Sequence, residues 1–180
     1  MPAQRSDAVR SRARILDAAR GADAGSLRLN DVARAAGVGV GTVYRHFPTV
    51  QTLLEALTTE ALERLRDLAR EAAADPGPAA GLGRLIRAAL DLQLEVGGLQ
   101  AVMTSPDVGE TTAALRTEIF GLFARILDRA QAAGAARADL TPARVQHLVC
   151  GIEHAVQLGT PEDRDVYVDI VLAGLRPAPG

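Results

Sequence analysis

Apolar positions recur along most of the chain at the three- and four-residue spacing of amphipathic helices, and Gly and Pro residues separate the runs. On this pattern residues 1–8 form a flexible lead-in. A first helix runs from Val9 to Gly21, with Val9, Ala13, Leu16 and Ala19 along one side and Arg10, Arg12 and Arg14 on or near the other. Gly21, Gly25 and Ser26 end it. A second, short helix covers 29–36, with Leu29, Val32, Ala33 and Ala36 at i, i+3, i+4 and i+7. Gly37 follows at the place where a left-handed residue closes a helix. After a tight Val38-Gly39 connection a third helix spans 40–47, and Pro48 stops it because the residue before a proline is pushed out of helical geometry. Thr49 caps a long fourth helix at 50–73, whose stripe is Leu53, Leu54, Leu57, Ala61, Leu62, Leu65 and Leu68. Beyond the Asp75-Pro76-Gly77-Pro78 interruption, helices are expected at 79–96, 98–104, 110–133, 142–158 and 162–175. Thr141-Pro142 and Thr160-Pro161 each pair an N-cap with proline at the first helical position. No segment alternates as a strand does. The expected fold class is all-α, about nine helices, with a small N-terminal domain at 1–58 and a larger helical domain at 59–180.

The segment 29–48, LNDVARAAGVGVGTVYRHFP, has the physical requirements of a helix-turn-helix. Two short helices that cross steeply need small residues where they meet, here Ala33, Ala36 and Gly37, and an apolar plug in the turn, here Val38. The second helix must enter a groove about 12 Å wide, which favours slim residues at its start. Val40, Gly41 and Thr42 meet that need, and Tyr44, Arg45 and His46 follow within reach of phosphates or base edges.

Residues 9–58 resemble the DNA-binding domain of the tetracycline-repressor (TetR) family of bacterial regulators. The match rests on Arg14-Ile15-Leu16-Asp17-Ala18-Ala19, Asp31-Val32-Ala33, Ala36-Gly37-Val38, Gly41-Thr42-Val43-Tyr44, His46-Phe47 and Leu53-Leu54, in order and at nearly the family spacing. The resemblance implies that 40–47 is the recognition helix. Thr42 would touch a base edge or the adjacent phosphate, and Tyr44 and His46 would bind phosphates, the alternatives being helix packing for Tyr44 and capping of the helix end for His46. Arg45 either reads a guanine bidentately, the preferred reading, or pairs with the backbone. Val40 would meet a thymine methyl, and Phe47 is core. The chain departs from the family pattern in three places. The first helix looks about three residues short. Gly39 replaces a Ser, which weakens the N-cap by a few tenths of a kcal/mol. Val50 replaces a Lys, which removes a phosphate contact and about one unit of log-log salt slope. Arg28, at the start of the second helix, can supply that charge.

One such head reads one half-site, so a homodimer on a palindromic duplex operator is expected. The last two long helices carry stripes suited to that role: Val145, Leu148, Val149, Ile152 and Val156, then Val166, Val168, Ile170, Val171 and Leu175. The resemblance points to the same pair, packed as a four-helix bundle. A small-molecule effector would lie among helices 79–158. Candidate liners are Leu94, Met103, Phe120, Phe123, Ile126, Leu127, His147 and Cys150, with Gln93 and Gln100 as polar contacts; ordinary core is the alternative for each. His147, Cys150 and His154 share one helical face at i, i+3 and i+7. A transition-metal site would use such residues, but a dimer seam fits them better, and no metal ligand or cofactor is assigned.

Charge adds support for the head. The first 50 residues carry eight Arg against four acids, a charge of +4, whereas the other 130 carry twelve Arg and eighteen acids, a charge of −6. A basic head on an acidic body suits a protein of which only the head meets a polyanion. Aromatics are 3% of the chain, with no Trp, which argues against a stacking site for sugars. A single cysteine, Cys150, leaves no internal disulfide and fits a reducing cytoplasm. The polar, Arg-rich stretch from Met1 to Arg14 has no apolar segment of a signal peptide, and no run is long enough to cross a bilayer. No nucleophile–base arrangement, Gly-rich phosphate loop or dense carboxylate cluster is present, so an enzyme is not expected. An effector-released repressor is the expected function, and an architectural DNA binder without a ligand is the remaining alternative.

Overall fold

The computed structural model describes residues 2–20, 24–160 and 162–177. Among them lie nine helices and no strand: α1 (Pro2–Ala19), α2 (Leu29–Ala35), α3 (Val40–His46), α4 (Val50–Ala74), α5 (Pro78–Glu95), α6 (Leu99–Thr104), α7 (Glu110–Ala132), α8 (Pro142–Leu158) and α9 (Asp163–Gly174). They form two compact units. Unit 1 comprises Met1–Ala61 and Val96–Ala113; unit 2 comprises Leu62–Glu95 and Ala114–Gly180.

In unit 1, α1, α2 and α3 pack on one another around Ile15, Ala19, Leu29, Val32, Ala33, Val43, Phe47 and Leu53, all buried. The start of α1 differs from the sequence expectation. The segment expected to be a flexible lead-in is helical from Pro2. Its residues are mostly good helix formers, and Asp7 and Arg10 pair one turn apart. Periodicity is silent there because residues 7–10 face solvent and have no core to point at. The expected stripe is also out of phase. Val9 is 68% exposed and Ala13 is exposed, while the buried line runs through Ser11, Ile15 and Ala19. The break expected at Gly21 falls outside the described residues.

The fourth helix begins as its sequence requires. Thr49 Oγ1 accepts from the Thr52 backbone N–H at 3.1 Å, and Thr52 Oγ1 accepts from the Thr49 N–H at 3.2 Å, a reciprocal cap in which Thr takes the place of the usual Glu. The segment after α6 is tied to the first half of α4 by the Glu55 carboxylate, which accepts from Gly109 N at 2.9 Å and Thr112 Oγ1 at 2.6 Å.

Unit 2 is a helical bundle in which α5 packs on α8 and α8 on α9. Its core includes Leu62, Leu65, Ile86, Leu90, Leu92, Ile126, Leu127 and Val145. Arg70 of α4 bridges Glu118 of α7 at 2.6 Å, and Arg129 donates to the Ala73 and Asp75 carbonyls at 2.5 and 2.8 Å, satisfying acceptors left open at the end of α4. Thr141 caps α8 by accepting from Arg144 N, with Pro142 at the first helical position, as expected. The second expected cap is corrected. Thr160 does not cap α9. Instead the Asp163 carboxylate accepts from Thr160 N at 2.9 Å and Oγ1 at 3.2 Å, so the acid inside the helix start binds backwards to the threonine. Pro161 lies outside the described residues.

Candidate nucleic-acid interface

The turn between α2 and α3 is built from backbone bonds. Gly37 sits at φ +63, a conformation that side-chain-bearing residues rarely adopt, and Val38 N donates back to Ala33 O at 3.1 Å. Gly39 is the extended N-cap of α3 and offers no side chain to it; the Gly39 carbonyl accepts from Thr42 N at 2.8 Å. Val38 and Ala36 are half-buried against the unit core, as the expected plug and contact residue.

The recognition-helix candidate turns one face inward and one outward. Val43 and Phe47 are buried, whereas Val40, Gly41, Tyr44 and Arg45 are exposed and Thr42 is half-buried. Val40 at 46% and Tyr44 at 47% exposure are large apolar or aromatic groups left in water with no partner in their own unit's core. Arg45 does not reach outward. Its Nε donates to the Gly41 carbonyl at 3.1 Å and its Nη2 to Thr42 Oγ1 at 3.2 Å, so the side chain lies back along its own helix. Arg28 is exposed at the N-cap of α2 and makes no side-chain cap bond.

His46 closes α3 and is half-buried. Its Nε2 lies 2.9 Å from the hydroxyl of Ser11, which is only 8% exposed. A groove between α1 and α3 is lined by Arg10, Arg14, Thr42, Arg45 and His46 among others. Arg12 places its guanidinium 5.3 Å from the centre of the Phe47 ring, within cation–π range. The sequence reading missed Ser11 and the α1 arginines as parts of this surface. The signal was present: a serine at the i−4 position of Ile15 continues the buried line, but an apolar-only stripe skips it.

The candidate effector residues are divided between the two units. Met103 is buried in unit 1; Leu94, Phe120, Phe123, Ile126, Leu127, His147 and Cys150 belong to unit 2. Ile126, Leu127 and Phe123 are buried, Leu94, Phe120 and Cys150 are half-buried, and His147 is exposed on α8 beside the apolar depressions formed with Leu148, Ile170 and Val171. Among the described residues no group of three His, Cys, Asp or Glu side chains is placed to hold a metal ion. Two buried polar groups stand out on the adjoining helices α5 and α8. Gln93 Oε1 and Glu153 Oε2 have no hydrogen-bond partner, and burial pushes the Glu153 carboxyl above its ordinary range, against the opposing bond from Gln157.

A model described as "Bacterial regulatory proteins, tetR family" matches residues 11–57, and one described as "Transcriptional regulator SbtR-like, C-terminal domain" matches residues 77–177. The chain belongs to the TetR family of bacterial regulatory proteins. It is a TetR-type transcriptional regulator with a helix-turn-helix of the DNA-binding kind. It is 30% identical to the TetR regulator SCO0520 of Streptomyces coelicolor, over 93% of this chain and 99% of that one, with a TM-score of 0.54. It is 30% identical to the TetR-like regulator LfrR of Mycobacterium smegmatis, solved in complex with proflavine, over 92% and 95%, with a TM-score of 0.61. FadR of Bacillus subtilis, solved with stearoyl-CoA, shares the fold at 17% identity, over 93% and 98%, with a TM-score of 0.60. No curated protein matches the sequence. Among the described residues of this TetR regulator, no helix is long and apolar enough to cross a membrane.

Proposed function

We propose that this regulator is a homodimeric repressor that presents α3 from each of two copies to successive major grooves of a palindromic operator, and that a small molecule releases it. The head would be residues 1–58 and the effector-binding and dimerising body 59–180. One observation carries the reading: α3 buries Val43 and Phe47 and leaves an outer face of Val40, Gly41, Tyr44 and Arg45 exposed, with Thr42 half-buried beside them. A helix of that cross-section suits the major groove, and the +4 charge of the first 50 residues suits the phosphates.

In the free protein Arg45 is bonded to its own helix, so reading a guanine requires it to exchange those two bonds for a bidentate pair. Tyr44 is already exposed and suits a phosphate, with Arg28 as a second contact. The effector reading is supported by the small molecule held by LfrR and by the unpartnered oxygens of Gln93 and Glu153, which suit a ligand carrying hydrogen-bond donors. Effector binding would act by favouring a conformer in which the two recognition helices are wrongly spaced, with α4 as the connection.

Selection of bound duplexes from a random pool tests the reading, the expected product being a two-fold repeat. On the selected duplex Tyr44→Ala should weaken binding to all sequences alike. Arg45→Ala should relax preference at one position per half-site, at about 1–3 kcal/mol. Failure to enrich any duplex at low salt would refute the proposal.

A further inference from the structure

Ser11 Oγ lies 3.0 Å from the Ala8 carbonyl and 2.9 Å from His46 Nε2. A serine hydroxyl has one proton, and a carbonyl can only accept. A Ser11 hydroxyl that donates to Ala8 turns a lone pair to His46, and both contacts are satisfied together only when Nε2 carries a hydrogen and donates to Ser11. The bond made by one ring nitrogen decides the state of the other. With Nε2–H held inward by a buried hydroxyl, Nδ1 is the nitrogen left for an outside partner. In the neutral ring Nδ1 is a bare lone pair; in the charged ring it is an N–H donor.

A phosphate oxygen only accepts hydrogen bonds. Neutral His46 in this tautomer would present lone pair to lone pair, and only the charged ring can bond a phosphate through Nδ1. We propose that Ser11 is a positioning residue which fixes the tautomer of His46, so that His46 engages a DNA phosphate only in its protonated form and duplex binding takes up a proton. This deepens the DNA-binding reading and rests on it. The charged groups lining the groove beside His46 are Asp7, Arg10 and Arg14 of α1 and Arg45 of α3; Asp7 is paired with Arg10, and α2 contributes none among the described residues. These cations favour a phosphate nearby, and the phosphate in turn favours the charged ring. His46 is the sole histidine of unit 1, since His147 and His154 lie on α8.

Binding to a mixed-sequence duplex of about 30 base pairs, at constant salt, tests this, because phosphate contacts do not depend on sequence. Wild-type affinity should rise as the pH falls from about 7.5 to 5.5, by at most about tenfold per unit, the limit for one proton. His46→Gln should flatten the profile. Ser11→Ala, which frees the neutral ring to turn an N–H outward, should flatten it as well, whereas Ser11→Thr should restore it. Nitrogen-15 shifts of His46 in the free protein should report the Nε2–H form. Duplex binding that is unchanged across this range, or a slope that survives His46→Gln, overturns the inference while leaving the DNA-binding reading intact. An Nδ1–H tautomer in the free protein also overturns it. No binding at any pH overturns the DNA-binding reading itself.

Discussion

A single buried carboxyl shows how a side chain can cost a protein stability and still be kept. Glu153 is 6% exposed, one oxygen accepts from Gln157 at 3.3 Å and the other has no partner. Burial raises its affinity for a proton above that in the unfolded chain. A carboxyl shifted in this direction stabilises the fold only while protonated. That contribution is complete below the unfolded carboxylate range and is lost as the pH rises through the raised folded value. Glu153→Gln should therefore raise the denaturant midpoint at pH near 7, and the gain should shrink through the carboxylate range and vanish by about pH 3, where the wild-type carboxyl is protonated in both states. An equal gain at both pH values would show that ionisation is not the cause. Site residues of this kind were only partly legible in the sequence. The exposed face of α3 followed from spacing, because Val40, Tyr44 and Arg45 alternate with Val43 and Phe47 at helical period. Ser11 did not, since a polar residue on a buried line is visible only once its partner, thirty-five residues away, is in place.

At the scale of elements, close approach of helices is decided by what is absent. The Cβ that a larger residue would add at Gly81 would lie 2.6 Å from the Ala72 carbonyl oxygen, and backbone cannot swing aside. The start of α5 thus rests directly on the end of α4. Gly81→Ala gains about 1 kcal/mol of helix propensity and should nonetheless destabilise unit 2 by about 1–3 kcal/mol, as overpacking does. The denaturant midpoint decides it: a more stable variant would mean that the two helices part without cost. Most helices were legible because their ends carry specific chemistry, such as Gly37 after α2, Pro48 after α3 and Thr141-Pro142 before α8. Of the ends that differed, the start of α1 had no such signal, and α9 carried a misleading one in Thr160-Pro161. Residues 7–10 of α1 face water, and at α9 Asp163, inside the helix, binds back to Thr160.

At the scale of the whole molecule, the division into units was the least legible feature. Segment 96–113 falls in the same compact unit as residues 1–61, and bonds from Gly109 and Thr112 to Glu55 span more than fifty residues, beyond any periodicity. The stripes on α8 and α9 divide in a similar way. Val145, Val149, Ile152, Val156, Val168 and Leu175 are used by the core of unit 2, while Leu148, Val166 and Ile170 stay exposed, Ile170 at 63%. Those three, with the apolar depressions around Tyr167 and Val171, are the surface proposed for a second copy. Because they are exposed within one protomer, replacing them costs the fold little, about half a kcal/mol. Leu148→Glu with Ile170→Glu should then give a folded monomer by analytical ultracentrifugation. Two linked heads gain affinity from effective concentration, so this monomer should bind a two-half-site duplex about a hundredfold or more weaker, yet bind one half-site as well as wild type. A dimer that persists through both substitutions would move the interface elsewhere, and a monomer that keeps full affinity for the two-half-site duplex would show that the heads act alone.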